Sequence, residues 1–224
     1  MSERTINVKR DIRTERRQEA DEFREEMTRR GTLVVRLLSS PGSGKTTLLE
    51  KTAQRLRDEA SVGILVGDVE TERDAERLAP YAASVQITTG GACHLEMPLI
   101  RRALPALGEE TFDYLFIEDI GNLICPASHP LGEHVRVILL STTEGDDKPG
   151  KYPKAFRTAQ VVAITKLDLL PHVPFSVSAA QEDALRIQPE LQFLPLCATN
   201  GDGLEEWYEF LRENRRQLLT GPHA

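Results

Sequence analysis

Residues 33–48 read LVVRLLSSPGSGKTTL. The stretch opens on an apolar run, Leu33, Val34, Val35, Leu37 and Leu38, of a length suited to a buried parallel strand. A Gly-rich turn spans Ser39 to Thr47, and residues 48–57 carry a helical pattern. Strand, turn, Gly-Lys-Thr and helix in that order are the setting of a phosphate-binding loop. Gly42 and Gly44 let backbone N–H groups turn toward phosphate oxygens, and the helix N-terminus adds unpaired donors and its dipole. Lys45 is placed to bridge the β- and γ-phosphates and the Thr46 hydroxyl to ligate Mg²⁺, with Ser39, Ser43 and Thr47 completing the cradle. Ser39 departs from the usual pattern, which begins with glycine.

Outward from this loop, apolar runs predict strands over 62–66, 84–87, 113–119, 135–141, 161–164 and 191–196. Pro195 marks the last of these as an edge or an ending strand. Helical patterns cover 71–78, 93–107 with an interruption by Pro98 near its start, 178–187 and 204–219, and residues 142–152 read as a long polar loop. Alternating strands and helices predict an α/β fold, a P-loop NTPase with a doubly wound, mostly parallel sheet and helices on both faces.

Acids stand at the strand tips, where such sheets hold ligands. Asp68 ends the second strand and either reaches Mg²⁺, directly or through water, or caps the next helix. Glu118 and Asp119 end the strand DYLFIED in a Walker-B arrangement, placing Glu118 with Thr46 and Asp68 near Mg²⁺. Lys45, Thr46 and Glu118 are the candidate catalytic groups. Gly121 follows Glu118 at the spacing used to sense a γ-phosphate. Thr165-Lys166-Leu167-Asp168 resembles the guanine-selecting Asn-Lys-x-Asp motif. A carboxylate at Asp168 accepts from guanine N1–H and the exocyclic amine, whereas adenine would leave a buried charge unpaired. The Lys166 stem covers the ring, and the Ala198 N–H, after Cys197, points at guanine O6. Thr165 in place of Asn predicts a weaker brace.

Composition narrows the setting. The chain has 224 residues, a net charge of −7 and no apolar run approaching a membrane span. These features predict a soluble cytoplasmic protein with neither nucleic-acid nor membrane partners. The N-terminus has no apolar core for a secretory signal and is too acidic for a transit peptide. Residues 1–30 hold nine Lys/Arg and eight Asp/Glu, with Ile12, Phe23 and Met27 the only anchors after Val8. They read as a charged helix packing weakly, or a partner-binding arm, preceding a GTPase domain over 31–220. Three cysteines, an odd number, favour metal or redox chemistry over a disulfide framework.

Cys93, His94 and Cys125 are the candidate metal ligands. Thiolate and imidazole suit Ni²⁺, Zn²⁺ or Cu(I), and three ligands are one short of a closed structural zinc site. Adjacent residues on a regular helix point apart, so Cys93 and His94 require irregular backbone. Cys125 lies four residues past Gly121, so movement of that segment on hydrolysis would drag a ligand with it.

Three further segments carry a resemblance: GGACHLE at 90–96, IEDIGNLICPAS at 117–128 and STTEGDDKPGKYP at 141–153. With SSPGSGKTT they resemble the hydrogenase nickel-incorporation GTPases, the HypB family, from about Gly31 to the C-terminal helix. The Ser-Ser start of the phosphate loop is usual there. The resemblance implies a GTP-dependent homodimer that uses GTP/GDP and Mg²⁺. Its interfacial site for Ni²⁺ or Zn²⁺ would use Cys93, His94 and Cys125. Such a dimer works with a nickel-chaperone partner and the hydrogenase large subunit, and Lys148 falls in the nucleotide-sensitive dimer contact. Three departures stand out: Asp119 for the common Asn, adding charge near the phosphates; Thr165 for Asn; and no His-rich or N-terminal Cys storage motif. The rivals are a urease accessory-type nickel GTPase, whose metal motif is Cys-Pro-His, a P-loop small-molecule kinase or ligase, and a metal buffer with a vestigial GTPase. Intrinsic hydrolysis is expected to be slow, because the sequence places no arginine finger or water-orienting Gln and Asn122 is short.

Overall fold

The computed structural model describes residues 8–68, 73–108 and 111–221, with side chains from residue 13 onward. Helix α1 (Val8–Arg29) precedes β1 (Leu33–Ser39), which runs through the Gly-rich turn into α2 (Lys45–Leu56). Next come β2 (Val62–Asp68), α3 (Arg73–Leu78), β3 (Ala83–Thr88) and α4 (Met97–Ala103). After β4 (Tyr114–Glu118) and β5 (Val135–Ser141) lie the short helices α5 (Lys148–Lys151) and α6 (Pro153–Thr158). β6 (Val161–Thr165), α7 (Val177–Ile187), β7 (Gln192–Pro195) and α8 (Leu204–Thr220) close the fold.

The seven strands make one sheet in the order β3-β2-β4-β1-β5-β6-β7, and every pairing is parallel. Parallel neighbours need crossovers, which set helices on both faces and bury central strands on both sides. Accordingly β1, β4 and β5 are buried along their whole length. Leu37, Leu48, Phe116 and Trp207 pack on one face, and Trp207 Nε1 donates to Thr52 Oγ1 at 2.9 Å, docking α8 on α2. Val34, Leu115 and Ile117 pack on the other face with residues of α1 and α4. The chain winds outward from β1 in both directions, so the C-terminal ends of β1, β2 and β4 open a crevice at the switch point.

Three expectations change. Helix α1 does not pack weakly: Ala20, Phe23 and Met27 are at most 2% exposed. Each large apolar side chain so buried contributes roughly 1.5–3 kcal/mol. The approach is close enough that a Cβ on Gly132 would lie 2.4 Å from the Ala20 carbonyl oxygen. The side chains of Val8 and Ile12 lie outside the described residues. The helix expected over 93–107 begins only at Met97, with Pro98 in its first turn, and tightens into a 3-10 turn at Leu104–Leu107. Residues 148–151 of the expected loop form α5. The helix expected from 71 is described from Arg73, and its proposed cap lies outside the described residues.

Candidate nucleotide and metal site

The Gly-rich turn, the tips of β2 and β4 and the start of α3 enclose a cavity of about 570 Å³. Gly42 (φ 75°) and Gly44 (φ 94°) take the left-handed backbone that the turn needs, and Gly44 starts α2. Ser43, Lys45, Thr46 and Thr47 line the cavity with both glycines. Ser39 does not: it is fully buried beneath the loop, where its hydroxyl accepts from Lys45 Nζ at 2.8 Å. Gly121 sits against the loop so tightly that a Cβ there would be 3.0 Å from the Pro41 backbone.

Glu118 is 4% exposed and its Oε1 accepts from Thr46 Oγ1 at 2.9 Å. Its Oε2 is buried with no hydrogen-bond partner among the described residues. Burial pushes this carboxyl up to about 7, against the opposing pull of Lys45 and the Thr46 hydroxyl. An orphaned buried oxygen, with the Thr46 hydroxyl and the Asp68 carboxylate on the same wall, fits a hard divalent cation such as Mg²⁺. Asp74 and Arg77 also line this cavity, and sequence reasoning missed both, because only the fold brings α3 there. Arg77 pairs with Glu50 at 2.7 Å and with Asp74 at 3.8 Å.

Of the base-reading candidates Lys166 lines this cavity and Asp168 and Ala198 do not; β6 and β7 bring those two side by side. Leu196 N donates to Ile164 O at 2.8 Å, and Cys197 Sγ lies 3.0 Å from Asp168 Oδ1, so Asp168 and Ala198 share one corner. Lys166 adopts φ 60° and its Nζ donates to Gly42 O at 2.6 Å. Thr165 is buried, and its hydroxyl donates to Ser43 O at 2.8 Å, joining this motif to the phosphate loop. Lys148 also reaches the loop, 3.1 Å from Ser40 Oγ and 3.3 Å from Glu144 Oε2.

The three metal candidates converge. Cys93, His94 and Cys125 offer ligand atoms within 4.8 Å of one another, on irregular chain preceding α4 and after β4. Cys93 Sγ lies 2.7 Å from Cys125 Sγ and 3.7 Å from His94 Nδ1. The neighbouring Cys125 thiol holds the Cys93 thiol above its usual range. Two residues were missed: Glu96 and His129 form a second group with His94, again within 4.8 Å. The signal was present as Cys125-x-x-x-His129, a spacing that one turn of chain can fold together.

Cavity and metal loop are joined by hydrogen bonds. Asp119, expected to add charge beside the phosphates, does border the cavity, but it is fully buried and its Oδ2 is paired with the equally buried Arg36, which offsets that charge. Its Oδ1 accepts from Ile120 N at 2.8 Å and from Leu95 N, next to His94, at 3.3 Å. Asn122 turns toward the cysteines: Nδ2 donates to Cys93 O at 3.3 Å and Oδ1 accepts from Ile124 N at 2.8 Å. Arg36 also meets Glu133, which burial pushes up but Arg36 and Arg136 hold down at about 2.

Fold and cradle define a P-loop nucleotide-binding protein. The CobW/HypB/UreG nucleotide-binding domain family matches residues 33–195. Hydrogenase maturation factor HypB of Rhizobium leguminosarum bv. viciae is 42% identical over 210 residues, 93% of this chain and 70% of that protein. The hydrogenase/urease maturation factor HypB of Helicobacter pylori strain J99 is 38% identical, across 100% of this chain and 94% of its own. The crystal structure of Helicobacter pylori HypB in complex with nickel superposes with a TM-score of 0.85 at 39% identity, covering 94% of this chain and 99% of that one. HypB from Archaeoglobus fulgidus gives 0.83 at 37% identity over 90% and 99%. The chain belongs to the HypB maturation factors of the CobW/HypB/UreG family.

Proposed function

We propose that this chain is a GTP-hydrolysing metallochaperone that holds Ni²⁺ or Zn²⁺ on Cys93, His94 and Cys125 and delivers nickel during [NiFe]-hydrogenase maturation. The observation that carries this reading is the junction at Asp119 and Asn122, which ties the chain that cradles phosphate to the chain that bears the thiols. Ser43, Gly44, Lys45 and Thr47 grip phosphate oxygens, while Ser39 orients Lys45 from below. Thr46, Asp68 and Glu118 would hold Mg²⁺, which would supply charge neutralisation for the nucleotide's phosphates. Lys166, Asp168 and Ala198 select guanine.

Hydrolysis is slow and serves as a switch. Among the described residues lining the cavity there is no glutamine, and Arg77 is held by Glu50 and Asp74. Loss of the γ-phosphate releases Gly121 from its station against the loop, and Asn122 transmits the shift to Cys93. The soft-donor set fits nickel, the ion in the Helicobacter pylori relative. GTP loading brings two copies together across the metal site, where Ile124 stands 65% exposed beside Cys125, and Lys148 takes part in that contact. Residues 31–220 are the GTPase unit and residues 1–30 its charged helix. The partners are a nickel chaperone and the hydrogenase large subunit, in the cytoplasm. No helix among the described residues is long and apolar enough to cross a membrane.

The test combines calorimetry with turnover. GTP should bind far more tightly than ATP, and the purified chain should turn over well under one GTP per second. Cys93→Ala should weaken nickel binding and leave GTP affinity unchanged. Equal affinity for ATP, or joint loss of nickel and GTP binding in Cys93→Ala, would contradict the reading.

A further inference from the structure

The thiol group has a neighbour of different chemistry. His94 turns Nδ1 toward Cys93 Sγ at 3.7 Å and Nε2 toward Glu96 Oε1 at 3.3 Å. The His129 ring stacks on it, with centroids 3.8 Å apart and planes inclined by 20°. His129 Nδ1 lies 2.8 Å from the Cys125 carbonyl oxygen, which only accepts, so that nitrogen carries the proton and Nε2 keeps its lone pair. A ligating histidine is oriented in this way, through its other N–H on a backbone carbonyl.

We propose that Glu96 and His129, sharing His94 with the thiols, form a second divalent-cation subsite of nitrogen and oxygen donors, entered when the stacked rings turn so that both Nε2 lone pairs face one ion. It rests on the reading that Cys93, His94 and Cys125 receive the ion. The two donor sets differ in softness, so the thiol set holds a borderline ion such as Ni²⁺ or Zn²⁺ more firmly and the Glu96–His129 set more loosely. A neutral imidazole has one lone pair, so His94 serves the two sets in turn. When the ion passes from Nδ1 to Nε2, Nε2 gives up its proton and Nδ1 takes one, leaving the proton count unchanged. One chain therefore carries one ion, which moves between a holding position and a releasing one.

A route out adjoins the second position. A recess of about 200 Å³ opens beside Glu96 and His129, and Glu15 and Glu19 of α1 give it a negative wall. Arg16, from the same helix, pairs with Glu96 at 2.8 Å. That guanidinium competes with the ion for the carboxylate, so α1 sets how long the ion stays.

The probe is Co²⁺, titrated anaerobically into the full-length protein and followed by visible absorption. The Cys93→Ser/Cys125→Ser double variant should keep one weaker Co²⁺ site that lacks the thiolate charge-transfer band. Adding His129→Phe or Glu96→Gln should lower that affinity roughly tenfold or more, and adding Arg16→Gln should raise it several-fold. In the otherwise unaltered chain, His129→Phe should slow chelator-driven release by about tenfold while the thiolate band persists. A double variant that melts like the parent but binds no Co²⁺, or whose affinity ignores Glu96 and His129, overturns the subsite, as does release that His129→Phe leaves unchanged. A parent protein without a thiolate band would instead refute the holding site, an outcome the double variant does not depend on.

Discussion

Glu118 concentrates the chemistry of the cavity in one carboxyl group. Its orphaned Oε2 and its upward shift to about 7 have the same cause, removal from water without a compensating charge. On the proposed assignment a bound cation would supply that charge, and proton and Mg²⁺ would compete for the group. Lowering the pH from 8 to 6 should therefore weaken Mg²⁺-dependent GDP binding, and Glu118→Gln should abolish that Mg²⁺ dependence; titrations at fixed pH check both. An unchanged Mg²⁺ dependence in the variant would contradict the assignment. Glu118 was legible in the sequence because a strand tip and a local motif define it. Arg36 was legible only as an anomaly, a charge inside the apolar run LVVRLLS. Its partners Asp119 and Glu133 lie 83 and 97 residues away, and no local pattern specifies them. Ser39 was assigned to the phosphates because the motif numbers it in the loop, but strand β1 ends on it and turns its side chain under Lys45.

The segment from β4 to the 3-10 turn at Pro126–Ser128 is the element that joins the proposed nucleotide and metal sites. Asn122 braces both cysteine-bearing loops yet carries little of the core. Asn122→Ala should lower metal affinity by roughly tenfold, as losing an outer partner does, with the melting temperature nearly constant. Unaltered affinity would show that the loops hold their shape without it. Asp119 differs, because Asp119→Asn leaves the fully buried Arg36 short of a counter-charge. Urea unfolding should show a loss of about 3 kcal/mol, and a loss below about 1 kcal/mol would contradict the pairing. Most strands and helices were legible from periodicity alone. The start of α4 was legible only in part: Pro98 and the need for irregular backbone at Cys93 and His94 both pointed past Cys93, but apolar spacing alone did not place the first turn at Met97. The packing of α1 was hidden for a similar reason: three buried residues among many charges look sparse until Gly132 lets the helix come close.

Across the whole molecule, two buried groups act in opposite senses on stability. Burial, with Arg24 nearby, pushes His134 down to about 4; its Nδ1 accepts from Val34 N, and its ring bonds Thr28 of α1. Unfolded, it titrates near 6.5, so between about 4 and 6.5 the unfolded chain binds more protons and stability rises with pH. Glu118 is the reverse: between about 4.5 and 7 the folded chain holds the extra proton, and stability falls as pH rises. The two slopes offset one another where the windows overlap. Glu118→Gln should leave the His134 slope bare, steepening the rise of the urea midpoint from pH 4.5 to 6.5. An identical profile in parent and variant would contradict one shift or the other.

On the proposed function, nucleotide state and metal grip are one equilibrium read at two places. Nickel affinity, measured with GDP and with a non-hydrolysable GTP analogue while light scattering reports mass, addresses it without intermediaries. The prediction is a difference of at least about fivefold, with the mass doubling in the analogue. Equal nickel affinity in both states, with the chain monomeric throughout, would contradict it.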